Sequence, residues 1–357
     1  MRNKILRVSH PGKYVKDAIE ALNMTQNEFA IRVGLTSKNL NTLINEKSNI
    51  TFEVAEKLAS FFDNSVDFWT NLQNRYEEYL LEEEKEKVIE NEWRIVKMFD
   101  KTFLKECCDI VVDNNNKEEV INKMKKCFMV SSLSNLNNED MYAFCRLCKN
   151  SKKEEKEIIL RNSWITLAIK KANDYNCKEF NPDKLKKIIP ELRKLTLLSP
   201  NEFTPKLIDM LANVGIKYIE LPYLKNSNIR GVTKWIKNEN AVIVAVNDYG
   251  KYTNRIWFTI FHELGHAIKN NKKYISISLY ENNIIDEDEL FADNFASNSL
   301  INLDQYTLFI NNKDFSLDAI SEFARQQQIN KDIVIGRMEK DNFIPYGKYK
   351  KDIYPIS

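Results

Sequence analysis

The sequence predicts an α+β chain, mostly α-helical with a small antiparallel β-sheet. Three observations predict it. From Lys13 to about Asn213, apolar residues recur at the three-to-four spacing of amphipathic helices. Only after Gly215 do short β-branched runs appear, in Ile216–Leu221, Gly231–Ile236 and Ala241–Val246. Helical patterning then resumes directly in Trp257–Ile268 and continues to the C-terminal region.

Five short helices are expected up to Tyr76. Lys13–Leu22 carries Tyr14, Val15, Ala18, Ile19 and Leu22 on one stripe. Thr25-Gln-Asn-Glu28 reads as a capping box, with Thr25 as N-cap and Glu28 returning the bond. It opens a helix through Phe29-Ala30-Ile31-Arg32-Val33, and Gly34 supplies the left-handed turn that ends it. Thr36 or Ser37 caps the third helix, with Leu40, Leu43 and Ile44 inward. Thr51 starts a fourth with Val54, Ala55, Leu58, Phe61 and Phe62, and Phe68, Trp69 and Leu72 anchor a fifth. Glu77–Lys87 is a solvated, charged helical run that links this part to the next. Val88–Asn213 reads as further helices separated by polar stretches such as Asp113–Lys117 and Asn135–Glu139. After the three strands come a helix at Trp257–Ile268, a loop, a helix at about Glu287–Leu300, and two more at Leu317–Gln328 and Lys331–Lys340.

Composition sets the class. The 357 residues are 43% hydrophobic and 29% charged, as in globular proteins with two or three cores. No apolar run is long enough to span a bilayer, and Met1–Val8 lacks a signal-peptide core, so a cytoplasmic location without membrane contact is expected. The formal net charge is only +2, so any nucleic-acid binding must come from a local patch. The six cysteines, Cys107, Cys108, Cys127, Cys145, Cys148 and Cys177, lack the paired spacing of a zinc knuckle and are expected as reduced thiols in a helical core.

Only three histidines occur, and two of them form His262-Glu263-Leu264-Gly265-His266. This is H-E-x-x-H in an apolar helical run, where positions i and i+4 share a face and can grip one metal ion. A catalytic zinc takes three protein ligands and keeps a position for water. The remaining histidine, His10, is far away in sequence, and no cysteine follows Cys177, so the third ligand should be a carboxylate. Glu289 and Asp293, at i and i+4 on the later helix, fit: Glu289 as third ligand, Asp293 holding the N–H of a ligand imidazole. Leu290, Phe291, Phe295 and Ala296 would pack that helix against the first. Glu263 is placed as general base toward the zinc-bound water, with Tyr252 and Tyr280 as candidate assisting tyrosines. One Zn2+ per chain follows.

The order Gln26…Ala30…Gly34…Leu40…Leu43 fits a helix-turn-helix, in which small Ala30 lets two helices approach across a tight turn. The following helix would enter a DNA major groove, presenting Ser37, Lys38, Asn39, Asn41 and Thr42, with Gln26 facing the DNA backbone. One such module binds weakly, so a homodimer on two half-sites of a double-stranded operator is expected.

At these residues two families come into view. His10-Pro-Gly-Lys13, the Thr25-Gln-x-x-Phe29-Ala30 core and the closing Phe68-Trp-x-Asn-Leu-Gln73 resemble the Cro/C1-type (XRE) domain of HigA/VapI plasmid-maintenance antidotes. The stretch Phe203–Asp352 resembles the ImmA/IrrE zinc metallo-endopeptidases. Its matching pieces are Gly215-Ile216, Gly231-Val232, the Phe258–His266 motif, Glu289-x-x-Ala292-Asp293-x-Phe295-Ala296, Phe323-Ala324 and Ile333-Val334-x-Gly336-Arg337. The second resemblance implies a gluzincin-like fold with ligands His262, His266 and Glu289 and base Glu263. Members of that family cleave helix-turn-helix repressors carried on separate chains, whereas here a DNA-binding segment shares the polypeptide. Where the family has small residues and a proline after its second motif, this chain has Ser297–Asn302.

The expected organisation is therefore a helix-turn-helix domain at 1–76, a helical middle at 77–200 and a zinc peptidase domain at 201–357. The expected function is a DNA-binding regulator that cleaves a partner repressor, toxin or other regulatory protein. The alternative is an antitoxin or autorepressor whose peptidase-like domain only docks a partner or senses a signal.

Overall fold

The computed structural model describes residues 8–142, 154–248, 251–269, 275–279 and 287–351. The chain is mostly helical with one small sheet, and it divides into two compact units, Met1–Asn91 and Glu92–Ser357.

The first unit holds α1 (Pro11–Ala21), α2 (Gln26–Val33), α3 (Ser37–Ile44), α4 (Phe52–Phe62) and the start of α5 (Val66–Val96). Its core is Val15, Ile19, Phe29, Ala30, Val33, Leu40, Leu43, Ile44, Ala55, Leu58 and Trp69. Tyr14 and Leu22, expected on the inward stripe of α1, are exposed, so that stripe is narrower than the sequence suggested. Thr25, Thr36 and Thr51 cap α2, α3 and α4 through their side-chain oxygens, as the sequence requires. The expected return bond from Glu28 is replaced: its carboxylate pairs with Arg32 at 2.7 Å, one helical turn away. Gly34 closes α2 at φ 75°, the left-handed conformation for which glycine pays no steric penalty. The charged run Glu77–Lys87 is helical and largely exposed, as expected, and forms the middle of the single 31-residue helix α5.

The second unit continues with α6 (Lys101–Cys108), α7 (Lys117–Cys127), α8 (Glu155–Ala172), α9 (Pro182–Lys194) and α10 (Pro200–Ala212). Then follow β1 (Ile216–Leu221), β2 (Ile229–Ile236), β3 (Ala241–Asn247), α11 (Thr253–Lys269), β4 (Ile275–Leu279), α12 (Glu287–Leu300), α13 (Leu303–Asn311), α14 (Leu317–Gln327) and α15 (Lys331–Lys340).

The sheet is four-stranded in the order β1-β3-β2-β4. It is mixed, not antiparallel throughout: β2 pairs antiparallel with β3 and β4, while β1 runs parallel to β3. The reason lies in β3, whose seven residues are all buried. A strand covered on both faces is central and takes neighbours on both edges. Val242, Val244 and Val246 meet Trp257, Ile260, Phe261 and Leu264 of α11 in the main core, and α8 lies against β1 and β3. The strand β4 and the helix α13 were not foreseen.

Cys108 and Cys127 are joined in a disulfide between α6 and α7, with Cα atoms 5.9 Å apart, which corrects the expectation of reduced thiols throughout. Chain proximity over 19 positions is a tertiary fact that cysteine spacing does not carry. Cys145 and Cys148 lie outside the described residues. Among the described residues no helix is long and apolar enough to cross a membrane.

Candidate metal centre

Helix α11 owes its placement to its apolar side. Ile256, Trp257, Ile260, Phe261 and Leu264 enter the core, and this fixes the rotation that carries His262 and His266 along the adjoining face, both buried. Helix α12 presents Glu289 and Asp293 one turn apart on one face. The two helices meet through small residues: a Cβ added at Gly265 would lie 2.9 Å from the Ala292 Cα. The buried side of α12 is Ala292, Ala296 and Leu300, with Phe295 half-buried. Leu290 and Phe291, expected at this interface, are exposed, because so close an approach has no room for bulky side chains.

The three expected ligands converge. His262 Nε2 and His266 Nε2 are 3.1 Å apart. Glu289 Oε2 lies 3.3 Å from His262 Nε2, and Glu289 Oε1 lies 3.2 Å from His266 Nε2. Donors held at about 2.0–2.1 Å around a tetrahedral ion are separated by about 3.3 Å, so the residues fit zinc. The chemistry of the donors fits as well. Asp293 Oδ1 sits 2.9 Å from His262 Nδ1, which places the ring proton on Nδ1 and turns the Nε2 lone pair inward. Two imidazole nitrogens and a carboxylate then face one another, an arrangement that calls for a cation between them.

Without a metal, protons serve that role. Burial works against a charged His262, yet the hydrogen bonds of Asp293 and Glu289 outweigh it and hold the ring up at about 9. Burial likewise opposes ionisation of Glu289, but its bonds to His262 and His266 bring it down to about 2. Asp293 follows the same pattern: burial pushes it up, and the bond to His262 pulls it below the usual carboxylate range.

Glu263 is fully buried beside the cluster. Its Oε2 accepts a 2.6 Å hydrogen bond from the Thr233 hydroxyl on β2, which also lies 3.0 Å from the Glu263 carbonyl. Among the described residues its Oε1 has no partner. Gly231, two residues before Thr233, leaves the space that Oε1 occupies; a Cβ there would overlap it. Thr233 escaped sequence reasoning. It lies 30 positions from Glu263, and no local pattern marks it. Tyr252 packs under Arg255 and Lys351, and Tyr280 lies outside the described residues.

In the first unit, Gln26, Ser37, Lys38, Asn39 and Asn41 are exposed and Thr42 is half-buried. Ser37 donates to Asn27 at 3.0 Å, Asn41 accepts from Asn45 at 2.6 Å, and the Thr42 hydroxyl bonds back to the Asn39 carbonyl at 2.9 Å. Lys38 and Asn39 thus project from the first turn of α3, while three of the six expected contact residues are already engaged locally.

Residues 15–69 match the helix-turn-helix family, and residues 212–326 match the IrrE N-terminal-like domain of the M78 peptidases. The chain joins a helix-turn-helix domain to an IrrE N-terminal-like domain. The IrrE-like match contains β1–β4, α11 and α12, and with them the whole cluster. Over the helix-turn-helix, the chain is 40% identical over 55 residues to the uncharacterized HTH-type transcriptional regulator YbaQ of Escherichia coli, covering 15% of this chain and 49% of YbaQ. It is 33% identical over 70 residues to an HTH-type transcriptional regulator of Haemophilus influenzae, covering 20% and 65%. The chain thus spans about half the length of YbaQ. Among solved structures, an addiction-module antidote protein of the HigA family from Coxiella burnetii matches at 29% identity, with a TM-score of 0.23, over 24% of this chain and 95% of that one. The Pseudomonas aeruginosa antitoxin HigA, solved with the higBA promoter, matches at 27% identity, with a TM-score of 0.23, over 24% and 94%.

Proposed function

We propose that this protein is a DNA-binding regulator carrying a zinc-dependent endopeptidase that cleaves a partner repressor, toxin or regulatory protein. One observation carries the reading: three metal donors lie 3.1–3.3 Å apart, with a buried carboxylate on the next residue that keeps one oxygen free. His262, His266 and Glu289 would hold one zinc ion, and Asp293 would fix the His262 tautomer. Zinc bound there supplies Lewis acidity, polarising a peptide carbonyl and lowering the pKa of water. The chain's own part falls to Glu263. Its Oε1 accepts a proton from the water that attacks the carbonyl carbon, and as the C–N bond breaks it returns that proton to the leaving amine. Thr233 keeps Oε2 occupied, so that Oε1 is the oxygen available for this exchange. A carboxylate in this position has no use in a domain that merely docks a partner, which favours the peptidase over the antitoxin-like reading.

The helix-turn-helix would bring this activity to an operator. Helix α3 enters the major groove with Lys38 and Asn39 foremost, as a homodimer on two half-sites, and the HTH-type regulators that resemble this region support that role. The test is co-expression with the product of the neighbouring gene, comparing wild type with Glu263→Gln. The proposal expects a processed partner with wild type only and equal zinc content in both. An intact partner in both, with operator binding retained, supports the antitoxin-like reading. If Glu263→Gln strips the metal, the role assigned to Glu263 is wrong. Lys38→Ala should weaken operator binding in gel shifts and leave proteolysis unchanged.

A further inference from the structure

Along α11, on the N-terminal side of His262, the second unit holds an open cavity of about 640 Å³. This lies within the size range of pockets that bind ligands. Phe258 and Asp293 form the wall toward the metal cluster, and Asp293 is itself bonded to His262. The lining carries four cationic side chains, Arg230, Arg255, Arg337 and Lys340, against two carboxylates, Asp293 and Glu339.

Those two carboxylates are already committed. Glu339 forms a buried ion pair with Lys351 and accepts the Gly347 N–H at 2.9 Å. Asp293 faces His262 and, at 3.6 Å, Lys340. Arg337 is ion-paired with Asp341 at 2.6 Å, whereas Arg255 is held by contacts that leave its charge in place. Arg255 donates to the Tyr346 hydroxyl at 2.6 Å and stacks near Tyr252 and Tyr346. Lys340 lies 4.6 Å from the centre of the Phe258 ring, at the metal end. Asn254, at the start of α11, keeps a buried Oδ1 with no partner among the described residues and lines the same cavity. Apolar Leu300, Ile301 and Ile333 complete the lining.

We infer that this cavity is a specificity site for an acidic residue of the cleaved protein. A carboxylate side chain is drawn in by Arg255 and Lys340, and a backbone N–H of the same segment satisfies Asn254 Oδ1. Positive charge beside apolar Leu300, Ile301 and Ile333 suits a carboxylate on a hydrophobic peptide. The unmatched acceptor on Asn254 suits a peptide, which brings backbone N–H donors along its length. This inference rests on the peptidase reading and names its substrate class.

The experiment uses full-length Glu263→Gln protein loaded with zinc and immobilised. A library of decapeptides, randomised at the central positions, is passed over it, and the retained peptides are sequenced by mass spectrometry. The expected result is enrichment of Asp and Glu at one position, about tenfold, consistent with one charge-assisted contact. Lys340→Gln, at a half-exposed side chain, should abolish most of the enrichment while zinc content stays at one per chain. Retention without acidic enrichment, enrichment indifferent to Lys340→Gln and Arg255→Gln, or no retention at all would overturn the inference. Competition by inorganic phosphate with no positional preference would mark a general anion site and overturn the peptide assignment. Incubating the retained peptides with wild-type protein is a separate readout: enrichment without cleavage keeps the specificity site and removes the peptidase.

Discussion

Replacing Thr233 with valine deletes one hydroxyl and preserves the side-chain shape. The structure predicts a large cost for so small a change. The hydroxyl has one hydrogen, and at 2.6 Å Glu263 Oε2 is its nearer acceptor. Hydrogen bonds to buried charged groups contribute about 1.5–3 kcal/mol. Because Glu263 Oε1 already lacks a partner among the described residues, the variant leaves both oxygens of a fully buried carboxylate unpaired, and the loss should fall at the upper end, about 3 kcal/mol. Thr233→Ser keeps the hydroxyl and loses a methyl, a cost of about 1 kcal/mol. Urea unfolding of the metal-free, full-length protein, followed by tryptophan fluorescence, measures both. The order expected is wild type, then serine, then valine. A valine variant as stable as the serine variant would show that this bond does not hold Glu263 and would refute the reasoning.

Other outcomes follow from the same geometry. Glu289→Ala and His262→Ala should each lose the zinc measured by elemental analysis after gentle purification, because two donors cannot replace three; full zinc content in either would show that the ion binds elsewhere. Gly265→Val should cost about 1–3 kcal/mol and weaken zinc binding, since its side chain would meet Ala292 and push α12, with Glu289, away; unchanged zinc affinity would deny the close crossing a role. His10 caps α1 by accepting the Gly12 N–H at 2.9 Å, and burial lowers its pKa against a weaker upward pull from Glu46. The neutral ring's contribution is therefore fully present above the unfolded value of 6.5 and is lost as pH falls below it, through the folded pKa. His10→Asn, which keeps a capping acceptor and removes the titration, should flatten that acid sensitivity in the calorimetric transition of the first unit.

What the sequence disclosed and what it hid divide along one physical line. Features written in local periodicity were legible: the i, i+4 histidines, Glu289 with Asp293, the threonine caps and the Gly34 turn. Each depends on residues within about one helical turn of each other. Features that arise when distant segments meet were not. The bond from Thr233 to Glu263 spans 30 positions, and the disulfide spans 19. The strand β4 alternates as Ile275-Ser-Ile-Ser-Leu279, but at five residues it is defined by its pairing with β2. The parallel partnership of β1 with β3 was invisible for the same reason. On α12 the apolar residues were visible but their direction was not: Leu290 and Phe291 turn outward because Gly265 draws alanines in.

That glycine has a second effect. Inside a helix it is a poor helix former, costing about 1 kcal/mol relative to alanine. It sits in the very turn that carries both imidazoles, so this stretch of α11 has less intrinsic order than its flanks. Its regularity is borrowed from the neighbour pressed against it, and a cation shared by α11 and α12 would fasten from outside what the backbone leaves loose. Amide exchange at Leu264–Ala267 would then report whether the two helices are clasped, falling sharply when the ion is present.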